Sequence, residues 1–213
     1  VLSGKVSAEP VEHWLDTMRR VAIETNKVWA AKLGINQAAA ITCVKPSGTV
    51  SQLVNSASGI HPRFSPYYIR TVRADVKDPL AQYMRDAGFP CEVDVTKDSN
   101  LVFSFPVAAP SGSVCTKEVG ALEQLRLWKV YQDHWCEHKP SITVYYRDDE
   151  YLHVAGWLWD NFDSISGSSL LPHSDHVYQQ APYQEITEEV YEEMRDVFPS
   201  FDAVAASQFE AGE

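Results

Sequence analysis

The sequence has no long apolar run. No stretch approaches the roughly 20 residues that a helical bilayer span needs, and no charged-then-apolar leader opens the chain. The expectation is a cytoplasmic protein with no membrane partner. Cysteine is scarce. The four residues Cys43, Cys91, Cys115 and Cys136 are widely spaced and form no CxxC pair, which excludes a dense disulfide framework and leaves reduced thiols as the default. Positive charge is also short, with 18 basic against 29 acidic residues and a net charge of −11. A nucleic-acid backbone held by bulk charge is therefore not expected. The loops that mark common catalytic folds are missing too. There is no Walker A loop, no GxGxxG and no G-x-S-x-G elbow.

What is present makes a folded protein. The 213 residues are 45% hydrophobic and 11% aromatic, enough to fill a core. The acidic excess is local. Residues 185–213 carry nine acids and one base, a net −8 that leaves about −3 on the rest, so a small anion can still be held by local geometry. Neither a repeat nor a dividing linker is visible, so residues 1–213 read as a single unit with an acidic segment at 185–213. The chain starts at Val1 without a Met, and both ends look cut.

Periodicity predicts alternating elements. Trp14, Leu15, Met18, Val21, Val28 and Trp29 recur at helical spacing across 10–33, stopped by Gly34. Helices are also expected at 79–87, 118–137, 150–161 and 187–198, with a short one beginning at 50–54. Strands are expected at 38–44, 67–72, 101–105 (ended by Pro106), 141–146 and 165–171. Alternation of this kind means an α/β fold with a mostly parallel sheet or a barrel.

The turn Lys45-Pro46-Ser47-Gly48-Thr49-Val50-Ser51 holds most of the chemistry. A strand ending in glycine and hydroxyl residues before a helix start presents backbone N–H groups to an anion. Gly48 allows close approach of a phosphate, while Ser47, Thr49 and Ser51 add hydroxyl donors. An ordinary capped turn has the same local sequence. Downstream, His61, Arg63, Arg70 and Arg73 could surround an anion, although the odd spacing of Arg70 and Arg73 puts them on opposite strand faces. In His134-Trp135-Cys136-Glu137-His138 the two histidines share a helical face that Cys136 does not, which argues against a metal centre, and His173 and His176 lack a firm ligand pair. Tyr145, Tyr146, Trp157 and Trp159 read as core and rim rather than as a stacking platform.

Ile41-Thr-Cys-Val-Lys-Pro-Ser-Gly-Thr-Val-Ser51, followed by Gly59-Ile-His-Pro-Arg-Phe-Ser-Pro-Tyr-Tyr-Ile-Arg70, resembles the adenosylcobalamin-dependent (class II) ribonucleotide reductases, most of all the monomeric ribonucleoside-triphosphate reductase branch. A second block supports the resemblance: Ile165-Ser-Gly-Ser-Ser-Leu-Leu-Pro172, then Asp175 through Ile186. It spans about residues 10–205. It implies part, about half, of a ten-stranded α/β barrel of the ribonucleotide reductase type, contributed by the C-terminal half. In that family cobalamin homolysis generates a thiyl radical that abstracts the substrate's 3′ hydrogen. A cysteine pair then reduces the 2′ position, and a thioredoxin-type reductant regenerates the pair. Pro46, Ser47, Gly48, Thr49, Val50 and Ser51 would hold the phosphates of a ribonucleoside triphosphate.

The departures are equally specific. The radical loop, Asn-x-Cys-x-Glu, has no match here, and the C-terminal cysteine pair would follow Glu213. No catalytic residue is therefore expected on this chain, Cys43 included. The radical cysteine would be carried by a missing N-terminal half, and the chain alone is expected to be inactive. As a half-barrel it should be poorly stable alone, or associate. The alternatives are a non-catalytic nucleotide-binding module derived from the same barrel, or a structural domain without a ligand.

Overall fold

A computed structural model describes residues 10–47, 50–173 and 178–210. They fall into two compact units. The first is built from 110–173 and the described part of 1–63, the second from 64–109 and the described part of 174–213. Each is discontinuous, so the division leaves no linker in the sequence.

In the first unit, α1 (Val11–Leu33) ends where Gly34 turns left-handed at φ 66° and donates its N–H to Ala31 at 3.3 Å. Its face with Leu15 and Ala30 is buried, and it packs on α4 (Ala121–His134). Asp16 meets His134 Nδ1 there at 3.1 Å. Trp14 and Trp29 are about half exposed, and Met18, Val21 and Val28 join them on an uncovered stripe. A four-residue helix, α2 (Val50–Leu53), follows the 45–51 turn.

Helix α4 starts later than the sequence suggests. A one-turn 3-10 helix at Thr116–Glu118 comes first, and Val119 and Gly120 are extended. Strand β4 (Thr143–Tyr146) pairs in parallel with β5 (Ser169–Pro172), joined by α5 (Tyr151–Asp160). This strand–helix–strand unit fits the α/β expectation. Trp128, Leu125, Ala121 and Val144 are fully buried at its core, and Trp128 Nε1 donates to the Pro140 carbonyl at 3.1 Å. The expected strand at 38–44 does not form. Its backbone bonds are single stitches to a non-strand segment, as from Glu137 N to Thr42 O and from Ser141 N to Val44 O, both at 2.9 Å.

The second unit holds a four-stranded sheet in the order β2-β3-β1-β6. Its strands are β1 (Tyr67–Asp75), β2 (Cys91–Val93), β3 (Asn100–Ala108) and β6 (Tyr183–Glu185). Every pairing is antiparallel, not parallel as alternation alone suggests. The helix α3 (Pro79–Asp86), capped by Asp78, leads into β2. The chain then reverses in a tight turn where the Asp94 side chain accepts from Thr96 N–H at 2.8 Å, so β3 runs back along β2. Strand β3 continues through Pro106. β2 pairs only with Leu101–Phe103, so beyond it that edge of β3 has no described ladder for the missing N–H to break.

Helices α6 (Glu188–Val197) and α7 (Ala203–Glu210) complete the unit. Thr187 Oγ1 caps α6 by accepting from Val190 N–H at 3.4 Å. Phe89 meets Phe198 and Phe201, and Tyr83 meets Phe201 and Phe209, in edge-to-face contacts.

Candidate functional site

The 45–51 turn starts at an extended Lys45 to Ser47, with Pro46 exposed. Ser47 is anchored twice on Ser58, whose Oγ lies 3.1 Å from both Ser47 N and Ser47 Oγ. Val50 N–H donates to the Ser47 carbonyl at 3.1 Å, which closes the turn into α2. Ser51 is 5% exposed, and its Oγ has no hydrogen-bond partner among the described residues. A buried hydroxyl without a partner is costly, and here it sits in the stretch read as a phosphate loop. Gly48 and Thr49 lie outside the described residues. Of the six expected site positions, Pro46, Ser47, Val50 and Ser51 are among the described residues.

The next segment braces this turn. Ser56 N–H donates to the Ser51 carbonyl at 2.8 Å. Gly59 has φ 57°, and a Cβ there would lie 3.3 Å from Val44 Cγ1 and 3.5 Å from the Lys45 carbonyl oxygen. Glycine is therefore needed both for its backbone conformation and for close approach. His61 Nδ1 lies 2.7 Å from the Ser58 carbonyl, while Nε2 accepts from Thr143 N–H at 2.9 Å. Those partners fix the neutral Nδ1–H tautomer and make the ring a strut between the loop and β4.

A cleft of about 390 Å³ opens beside this brace. Its walls are Asn55 to Arg63 on one side and Pro110 to Val114 on the other, with Leu127 and Tyr131. The buried Arg63 donates Nη2–H to Asn55 Oδ1 at 2.7 Å. The 110–114 wall carries no signal in the sequence. Its proline, glycine and serines read as an ordinary loop, and it is brought to Arg63 by bonds from Arg63 N to Val114 O at 2.9 Å and from Thr116 N to Arg63 O at 2.8 Å.

The other candidates are accounted for separately. Arg63 belongs to the first unit, Arg70 and Arg73 to the second. The Arg70 guanidinium lies over the Tyr183 ring at 4.5 Å and bonds the Pro182 carbonyl at 3.1 Å. Arg73 Nε pairs with Asp94 at 2.9 Å. His138 Nδ1 lies 3.3 Å from Lys45 Nζ, and His173 sits against the Tyr145 ring. His176 lies outside the described residues. Among the described residues, no three His, Cys, Asp or Glu side chains are grouped to hold a metal ion. Trp157 packs on the first core, while Trp159 is 82% exposed.

No family model matches the chain. The adenosylcobalamin-dependent ribonucleoside-triphosphate reductase of Lactobacillus acidophilus is 30% identical over 183 residues, covering 84% of this chain and 25% of that protein. The reductase of the same name from Levilactobacillus brevis is 26% identical over 199 residues, 89% of this chain and 27% of that one. A crystal structure of a B-12 dependent (class II) ribonucleotide reductase superposes with a TM-score of 0.82 at 25% identity, over 95% of this chain and 29% of that one. This chain is a relative of the class II ribonucleotide reductases. It spans about a quarter of the length of the curated relatives it matches, and its mixed α/β fold is that of a segment of the class II enzyme.

Those relatives depend on adenosylcobalamin by name. Two clefts among the described residues, of about 390 and 470 Å³, are the size of small-molecule pockets.

Proposed function

We propose that this chain is one segment of an adenosylcobalamin-dependent ribonucleoside-triphosphate reductase, in which Pro46, Ser47, Gly48, Thr49, Val50 and Ser51 bind the phosphates of the ribonucleoside triphosphate. Supporting this is one observation above the rest, the buried Oγ of Ser51 at the start of α2, which has no partner among the described residues, in a chain whose relatives are reductases over 84% of its length. In this reading Ser47 is pre-positioned by Ser58, Gly59 lets the brace approach Val44, and His61 holds the brace to β4. The loop binds and orients the substrate. The remainder of the reductase, including an N-terminal half with the radical cysteine, supplies the chemistry, and a thioredoxin-type dithiol supplies electrons. The cell compartment is the cytoplasm. The uncovered stripe of Trp14, Met18, Val21, Val28 and Trp29 on α1 suits a segment that the rest of a larger protein covers.

Titration with a ribonucleoside triphosphate tests the loop. Gly48→Asp places a carboxylate where the phosphates would lie, and a loss of affinity of at least about tenfold is expected; unchanged binding would overturn the assignment. Adenosylcobalamin and ribonucleoside triphosphate added to the isolated chain should give no deoxynucleotide until the N-terminal portion is supplied. Turnover by the chain alone would contradict the segment reading. The second reading, a non-catalytic nucleotide-binding module, would be favoured if triphosphate binds and no complementary portion restores activity.

A further inference from the structure

Cys43 and Cys136 are 93 positions apart, yet the two segments that carry them are stitched together on both sides of the pair. Trp135 Nε1 donates to the Cys43 carbonyl at 3.1 Å. Glu137 N donates to the Thr42 carbonyl at 2.9 Å, and Ser141 N to the Val44 carbonyl at 2.9 Å. The Glu137 carboxylate accepts from Ile41 N at 2.9 Å and from Thr42 N at 3.3 Å. The Val44 amide, two covalent bonds from the Cys43 Cα, lies beside the Cys136 sulfur. These bonds on either side of the pair hold the two backbones close together, and a disulfide spans a Cα separation of about 4.4–6.8 Å. Both thiols are reduced. Cys43 is half-buried and Cys136 buried, where desolvation pushes its thiol up.

We propose that Cys43 and Cys136 are an oxidisable dithiol that closes to a disulfide, with a small soluble disulfide such as glutathione disulfide as the oxidant. The more exposed Cys43 loses its proton to water and attacks one glutathione sulfur. The glutathione S–S bond breaks, and one glutathione leaves as a thiolate and is protonated. Cys136 then loses its proton and attacks the Cys43 sulfur of the mixed disulfide, which expels the second glutathione. In sum, two protein thiols give up two electrons and two protons, and one glutathione disulfide becomes two glutathione thiols. The new bond ties Val44 and Lys45, which lead into the 46–51 turn, to the segment leaving α4. A dithiol reductant reverses it. The pair does not depend on what the turn binds.

The full chain, first reduced and then treated with glutathione disulfide at neutral pH, is expected to lose two of its four thiols. Its mass should fall by about 2 Da, and a proteolytic digest should contain peptides of Cys43 and Cys136 joined together. Dithiothreitol should restore all four thiols. C43S and C136S should each abolish the joined peptides, whereas C91S and C115S should keep them, which guards against a variant that merely unfolds. Four thiols still titrating after treatment would overturn the proposal. So would a link to Cys91 or Cys115, or a glutathione adduct on Cys43 that Cys136 never displaces.

Discussion

The two units handle polar groups in opposite ways. In the second, polar side chains turn inward and satisfy one another. Asp94 is 1% exposed and accepts from Arg73 and Thr96. Arg73 also donates to the Gln180 carbonyl at 3.0 Å, and the Gln180 amide spans Val93 O at 2.7 Å and Val95 N at 2.9 Å. Gln180 adopts φ 58° to do this, a conformation uncommon for a residue with a side chain. In the first unit the core is apolar around Trp128, while the anomalies are a buried hydroxyl at Ser51 with no partner among the described residues and an uncovered apolar stripe on α1. Closed polar networks fix a structure, whereas open polar and apolar groups wait for something else. The turn proposed to bind phosphates lies in the first unit.

Four changes would break or sharpen this contrast. Trp128→Ala empties the first core and leaves the Pro140 carbonyl unbonded, and it should cost about 3–5 kcal/mol in urea unfolding. Gln180→Ala should cost about 1–3 kcal/mol, because it strands Val93 O and Val95 N. Loss of hydrogen-exchange protection near 93–95, with 121–128 unchanged, would identify the effect with the second unit.

Acid should act on the same network. Asp94's carboxyl is held below the ordinary aspartate range, first by the Thr96 N–H and hydroxyl and then by Arg73. A carboxyl lowered in the folded state contributes its full stabilisation above the unfolded value of about 3.9, and loses it as pH falls through the lowered one. Melting temperature should therefore drop below about pH 4, and D94N should flatten that part of the profile. An unchanged acid limb in D94N would show that the network is not what acid breaks. The smallest effect belongs to the α1 stripe. Trp29→Gln should shift unfolding by no more than about 0.5 kcal/mol while reducing self-association in sedimentation. A large loss of stability would mean the stripe is already covered.

Helices were the most legible part of the sequence, because apolar spacing and stop signals are local. The α1 pattern and Gly34, Pro79 after the Asp78 cap, and Thr187 all appear where they act. Strand direction was not legible. Alternation counts elements, and only the turn at Asp94 reverses the chain between β2 and β3. β2 and β6, at three residues each, carry too little pattern to see, and the apolar, β-branched run at 38–44 looks like a strand in composition but is held by single backbone bonds to 137–141. The candidate turn at 45–51 stands out in the sequence by its glycine and hydroxyls. Its brace does not, since the fit of Gly59 against Val44 and the bridging role of His61 depend on contacts with other segments.

Residues 64–109 enter and leave the second unit side by side. Tyr67 stands opposite Ala108 in the ladder, and Ala109 N–H bonds the Pro66 carbonyl at 2.8 Å. On the other side of each crossing, Arg63 N–H bonds the Val114 carbonyl at 2.9 Å, so the first unit also brings its two cut points together. A segment with adjoining ends is a cassette. Joining residue 63 to residue 110 through a short glycine bridge and stopping after His173 would write the 45–51 turn, its brace and the Trp128 core as one continuous gene, ready to be grafted or circularly permuted.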